Sequence, residues 1–242
     1  MTFSEQLKEA YPKLFEQATQ APFLALAGQG TLNPAILSQW LAQDRLYAQN
    51  YINFAGALLS KIRLPMTVNA ESTEKKAARL LSFALANVIR ELDFFEETAG
   101  SYKIDLTPLW EAEGFQGNGP NQTTRAYADM MLSATSPSAS VLEGLTLLYA
   151  TELCYLTAWS YAKGFGSATN FKPQTHDTDG GALRAEFIPN WTSTEFTAFV
   201  EDCRVVMDEV AAQASETDRQ RALEVYRQVL WLEEKFWPQV QV

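Results

Sequence analysis

Between residues 33 and 62 the apolar side chains recur at the helical period: Ile36, Leu37, Trp40, Leu41, Tyr47, Ala48, Tyr51, Ile52, Ala55, Leu58, Leu59 and Ile62. Residues three and four apart share one face of a helix, so this segment predicts a single long amphipathic helix. Asn33 serves as its N-cap and Pro34 opens its first turn. The same period returns along the whole chain and no segment shows a convincing strand alternation. Helices are predicted over 2–19, 33–62, 70–98, 121–134, 139–163, 192–212 and 217–240, with one short helix in the loop after Gly164. A Pro/Gly-rich stretch from Thr107 to Pro120 separates the third from the fourth. With no Ser/Gly linker, charge block or internal repeat, the fold class follows as all-α, one helical bundle over 1–242.

Acids interrupt three of the apolar stripes. Asp44 occupies a core position between Trp40 and Tyr47. Glu152 lies among Leu142, Leu145, Leu148, Tyr149, Tyr155, Leu156 and Trp159. Glu233 lies in the last stripe, three and four residues before Phe236 and Trp237. Burying even a neutral polar group without a partner costs on the order of 2–7 kcal/mol, so an inward carboxylate needs an offsetting interaction. A shared, lined cavity supplies one. The alternative is a set of structural acids bonded to Arg, Tyr or backbone, and Glu91, inward with Ala84, Val88 and Phe95, fits that role beside a helix-borne arginine. Tyr47, Tyr51, Tyr149 and Tyr155 are read as core tyrosines with satisfied hydroxyls.

Composition narrows the function. The net charge of −10 disfavours nucleic acid, whose backbone requires a basic face. No basic segment suits an anionic membrane, no run reaches about 18 apolar residues, and the N-terminus lacks a signal-peptide pattern. Two cysteines, Cys154 and Cys203, make no disulfide framework, which suggests a reducing cytoplasm. The single histidine, His176, lies in a polar loop. Zinc, di-iron and haem sites of the usual kinds need more imidazoles, or one on a helix, so no metal or cofactor is expected. Asp177-Thr-Asp179-Gly-Gly lacks the closing Glu of a calcium loop and reads as a turn, with His176 solvated or capping.

Five segments, in order, resemble the TenA family, thiaminase II-like proteins with the haem-oxygenase-like fold. They are Gln43-Asp-Arg-Leu-Tyr47, Asn87-Val-Ile-Arg-Glu91-Leu-Asp-Phe-Phe95, Arg125-Ala-Tyr127, Trp191-Thr-Ser-Thr-Glu-Phe196 and Leu232-Glu233-Glu-Lys-Phe-Trp237. The resemblance implies metal-free hydrolysis of a C–N bond in a small aminopyrimidine derived from thiamin, and a homo-oligomer, dimer or tetramer. By that resemblance Asp44 binds the amino and ring-nitrogen edge of the pyrimidine. Tyr47 and Tyr127 pack on the ring or hold the acids, and Glu233 passes the proton to the leaving amine. The better-known branch has a nucleophilic cysteine in the central helix. Here Glu152 fills the inward position and Cys154 falls on the flank, so the chain resembles the branch with glutamate in place of cysteine. Trp191 stands where the family usually has tyrosine, trading a hydroxyl for a larger indole. Glu91, Trp191 and Cys154 complete the candidate binding set. A non-catalytic pyrimidine binder and a hydrolase of another heteroaromatic amine are the alternatives.

Overall fold

A computed structural model of the chain describes residues 1–67, 71–112, 115–166 and 176–240. Three short helices lead: α1 (Phe3–Ala10), α2 (Pro12–Thr19) and α3 (Pro22–Gln29). Two long ones follow, α4 (Pro34–Lys61) and α5 (Thr73–Tyr102). A two-stranded antiparallel hairpin, β1 (Leu109–Ala112) and β2 (Phe115–Asn118), precedes α6 (Gln122–Thr135) and α7 (Val141–Lys163). A π-helical turn (Leu183–Phe187) runs into α8 (Ile188–Trp191), and α9 (Thr194–Ala211) and α10 (Glu216–Phe236) close the bundle. The fold is all-α, and among the described residues no helix is long and apolar enough to cross a membrane.

Helix starts are set locally. Asn33, Ser72, Asn121, Ser140, Ser193 and Ser215 each accept a backbone N–H of the first turn, and Thr2–Glu5 and Ser140–Glu143 form complete capping boxes. The third predicted helix begins at Thr73 rather than residue 70, which lies outside the described residues, and continues to Tyr102. The last helix ends at Phe236, not 240, with Trp237 as extended C-cap.

Three expectations are corrected. The helix expected over 2–19 is two, because Pro12 has no N–H to continue the ladder and Tyr11 leaves helical geometry (φ −138°, ψ 53°). Residues 22–29 form a helix where none was expected, with Pro22 in the first turn and Gly30 left-handed at its end (φ 74°). The stretch 107–120 contains the hairpin. Its strands are too short to show an alternation, and a partner side chain from outside holds the hairpin. Buried Gln43 donates from Nε2 to the carbonyls of Leu109 (3.4 Å) and Gly119 (3.1 Å). Its Oε1 accepts from the Asn121 N–H and the Thr124 hydroxyl (2.9 Å each).

α7 is the central rod. It packs against α10, α9, α3, α2, α6 and α8. Its buried residues surround it: Leu145, Leu147, Leu148, Ala150, Cys154, Ala158, Trp159 and Ala162 are each at most 1% exposed. A helix covered on all sides carries apolar residues all round, so the single stripe expected from sequence is only one of its buried faces. The buried apolar side chains form one connected cluster.

Candidate active site

The chamber forms where three helices present successive turns to one another. α4 contributes Asp44, Tyr47, Ala48 and Tyr51, α5 contributes Ala84, Asn87, Val88, Glu91 and Phe95, and α7 contributes Thr151, Glu152 and Tyr155; Trp191 and Phe196 close one side. The offsets of three, four and seven residues are those of one helix face, so the core pattern also places the wall. The cavity measures about 40 Å³, room for a few waters at roughly 10–15 Å³ each.

Each acid is held by one aromatic donor. The Tyr155 hydroxyl donates to Asp44 Oδ1 (2.6 Å), the Tyr51 hydroxyl to Glu152 Oε1 (2.8 Å), the Trp191 indole N–H to Glu91 Oε1 (2.5 Å), and the Tyr127 hydroxyl to Glu233 Oε1. Asp44 Oδ2 and Glu233 Oε2 are buried without a hydrogen-bond partner among the described residues. The donors stabilise the ionised forms but burial dominates. Burial raises Asp44 well above the usual carboxylate range, opposed by the Tyr155 bond and reinforced by Glu91 and Glu233. Glu152 is raised to about 8 by burial, against the Tyr51 bond and with the charge of Glu91. Glu233 is likewise raised to about 8 by burial, against the Tyr127 bond and with the charge of Glu152. Glu91 is raised by burial despite the Trp191 bond and Arg90. Glu152 and Glu233 are thereby poised to exchange protons near neutrality.

An aromatic floor keeps the dielectric low. Trp191 stacks on Trp159 (4.6 Å between centroids, 24°) and on Phe187 (5.3 Å, 23°). Trp237 stacks on Trp40 (5.8 Å, 24°) and on Tyr155 (5.8 Å, 29°).

Asp44, Tyr47, Glu91, Glu152 and Trp191 therefore share one wall, and two other candidates stand behind it. Glu233 and Tyr127 do not line the chamber. Tyr47 packs edge-on to Tyr127 (5.0 Å), and Glu233 acts electrostatically on Asp44, Tyr47 and Tyr127. Cys154 is absent from the wall and fully buried. Two residues along a helix turn by about 200°, so a chamber-facing Glu152 sends Cys154 the other way. Burial first, then the charge of Glu233, pushes its thiol well up, opposite to what a nucleophilic thiolate needs. Glu91 is corrected too: its hydrogen-bond partner is the Trp191 indole, not an arginine. Thr151, Asn87 and Phe196 are wall residues that the sequence did not single out, and Tyr51 and Tyr155, expected as core tyrosines with satisfied hydroxyls, satisfy them on the acids.

Asp177 and Asp179 are part of a built turn. Asp177 pairs with buried Arg184, and Asp179 accepts from the N–H groups of Gly181 (2.9 Å) and Leu183 (2.8 Å). His176 is exposed beside them. Among the described residues no three His, Cys, Asp or Glu side chains are grouped so as to hold a metal ion.

Comparison with known proteins follows this geometry. The family model described as TENA/THI-4/PQQC matches residues 12–241. A "probable transcription factor" of Fusarium pseudograminearum is 31% identical over 98% of this chain and 52% of its own, so the chain spans about half the length of that relative. A "probable bifunctional TENA-E protein" of Glycine max is 23% identical over 93% of this chain and 86% of its own. Among solved structures, a TenA homologue from Pyrococcus furiosus superposes with a TM-score of 0.77 at 24% identity, covering 97% of this chain and 98% of that one. A putative TenA-like thiaminase from Sulfolobus solfataricus superposes with a TM-score of 0.68 at 16% identity, covering 97% and 94%.

Proposed function

The chain belongs to the TENA/THI-4/PQQC family, and from that premise we propose that it is a hydrolase of an aminopyrimidine C–N bond in thiamin salvage. The observation that carries this is the shared wall of Asp44, Glu91 and Glu152, with Glu233 one layer behind and acting on Asp44. In this reading the reaction is R–CH2–NH3⁺ plus water to R–CH2–OH plus ammonium, R being the pyrimidine. Asp44, with Oδ2 unpartnered, takes the edge formed by a ring nitrogen and the exocyclic amine. Glu152, on the wall at a pKa of about 8, in its ionised form takes a proton from the attacking water as the C–N bond breaks. The nitrogen departs as ammonia and Glu233, equally raised, supplies the proton that makes it ammonium, restored by the proton left on Glu152. With Cys154 turned away, no thiol is assigned a step, which accords with the branch carrying glutamate for cysteine.

The test is ammonia release from 4-amino-5-aminomethyl-2-methylpyrimidine. Asp44→Asn and Glu233→Gln are each expected to lower kcat/KM by roughly 10²-fold or more, in the range of general acid–base contributions. Unchanged turnover in both variants would refute the assignment.

The alternative is a pyrimidine-binding protein without turnover; ligand binding that yields no product and is indifferent to Glu152→Gln would select it. We further propose a cytoplasmic homo-oligomer, a dimer or tetramer, to be checked by light scattering on the purified protein.

A further inference from the structure

A second cavity of about 360 Å³ adjoins the chamber. It is lined by Phe83, Phe196 and Phe199 on its apolar side and by Arg90, Asn190 and Glu195 among its polar residues. Four residues belong to both spaces: Asn87, Glu91, Trp191 and Phe196. They form the neck between the tight inner chamber and the wider outer one. The inner space is too small for a heteroaromatic ring without movement, so a ligand meets this neck on its way in.

The neck is chemically biased. Trp191 is immobilised between Trp159 and Phe187, and its N–H fixes Glu91 Oε1 at 2.5 Å. The other Glu91 oxygen makes no hydrogen bond among the described residues. Asn87 Oδ1 is taken by Arg90, from Nε at 3.2 Å and Nη2 at 3.0 Å. The guanidinium is thereby tied beside the neck rather than across Glu91. What the neck offers a ligand is a carboxyl group held through one oxygen with the other free of hydrogen bonds among the described residues, an acceptor that favours a cationic donor.

We propose that this neck is a recognition site for an ammonium group on the side arm of the substrate, with Glu91 as the specificity-determining carboxylate that separates an aminomethyl from a neutral hydroxymethyl pyrimidine. The inference rests on the proposed function and deepens it. It assigns Glu91 selection of the amine, a role distinct from binding of the ring edge by Asp44. It also explains why Glu91 needs an indole donor that holds it without neutralising it.

The experiment is calorimetric titration of the full chain, carrying Glu152→Gln throughout so that the amine is bound and not hydrolysed, with two probes, 4-amino-5-aminomethyl-2-methylpyrimidine and its 5-hydroxymethyl isostere. Glu91→Gln keeps an oxygen for the Trp191 bond and removes the charge. It is expected to weaken the aminomethyl probe roughly 10-fold or more, the range for a hydrogen bond to a charged group, and to leave the hydroxymethyl probe within about twofold. Asp93→Asn removes one charge from the exposed side of the same helix and leaves the ratio unchanged. Equal losses for both probes in Glu91→Gln, no loss for either, or the same selective loss in Asp93→Asn overturns the proposal. Asp44→Asn distinguishes the two levels. If it affects neither probe while Glu91→Gln acts selectively, the ring-edge assignment fails and the neck stands. If neither probe binds the chain with Glu152→Gln alone, both fail.

Discussion

At the scale of single residues, burial and one donor per acid set the chemistry. The raised pKa values make a thermodynamic prediction. Glu152 and Glu233 stand near 8 in the folded chain and near 4.5 unfolded, so between those values the native state binds more protons and stability falls as pH rises. Carboxyls held low, such as Glu201 beside Arg204 and Glu209 beside Lys76, change stability only below the ordinary carboxylate range, outside this window. The urea midpoint is therefore expected to be higher at pH 5 than at pH 8, and Glu233→Gln should flatten the difference. A midpoint that rises across this interval would contradict the buried placement. A second prediction concerns Tyr51, whose bond lowers Glu152 against the effect of burial. Tyr51→Phe should move the Glu152 limb of the pH–rate profile upward, with little change in the pH-independent rate.

At the scale of elements, the contact of α3 with the turn before the π-helix is a tightly constrained joint. Gly30 adopts φ 74°, and a Cβ there would meet Asp177 Oδ1 at 2.3 Å. Its carbonyl also accepts the Thr178 N–H at 3.0 Å. Gly30→Ala is expected to cost about 1–3 kcal/mol from backbone strain alone. Arg184 is 6% exposed at its side chain and its partner Asp177 0%. Arg184→Ala leaves that carboxylate buried without its guanidinium and should cost about 3–5 kcal/mol. Equilibrium urea unfolding measures both. Arg184 sits in the π-turn that leads into α8 and Trp191. A destabilised joint should therefore also perturb the Trp191–Glu91 bond and the neck it defines.

At the scale of the whole molecule, α7 joins the core to the site. Thr151, Glu152 and Tyr155 face the chamber, Leu148 seals the turn below them, and Thr146, Ala150 and Cys154 are sealed on the other sides. Leu148 is 0% exposed, and Leu148→Ala is expected to cost about 2–5 kcal/mol, depending on how far the bundle collapses around the gap. A cost below about 1 kcal/mol in thermal or urea unfolding would mean that α7 is not the packed centre. The helices that bear the acids are separated by long stretches of chain. The chamber is thus a product of packing, and its small volume follows from the same close packing that stabilises the bundle.

The helical character of the chain, the cap at Asn33, and the inward side of Asp44, Glu152 and Glu233 were legible in the sequence, because periodicity and capping act over one or two turns. The proline signals at Pro12 and Pro22 were equally local and mark a break and a helix that hydrophobic period alone overrode. Other features depend on partners more than fifty residues away. Tyr155 meets Asp44, Tyr127 meets Glu233, Trp191 meets Glu91, and Gln43 holds the hairpin. No spacing along one helix encodes those pairs. Which acids reach the wall and which stand one layer back was decided only by how α4, α5, α7 and α10 rotate against one another. Side-chain period places a carboxyl on a face, whereas packing between helices determines what that face meets.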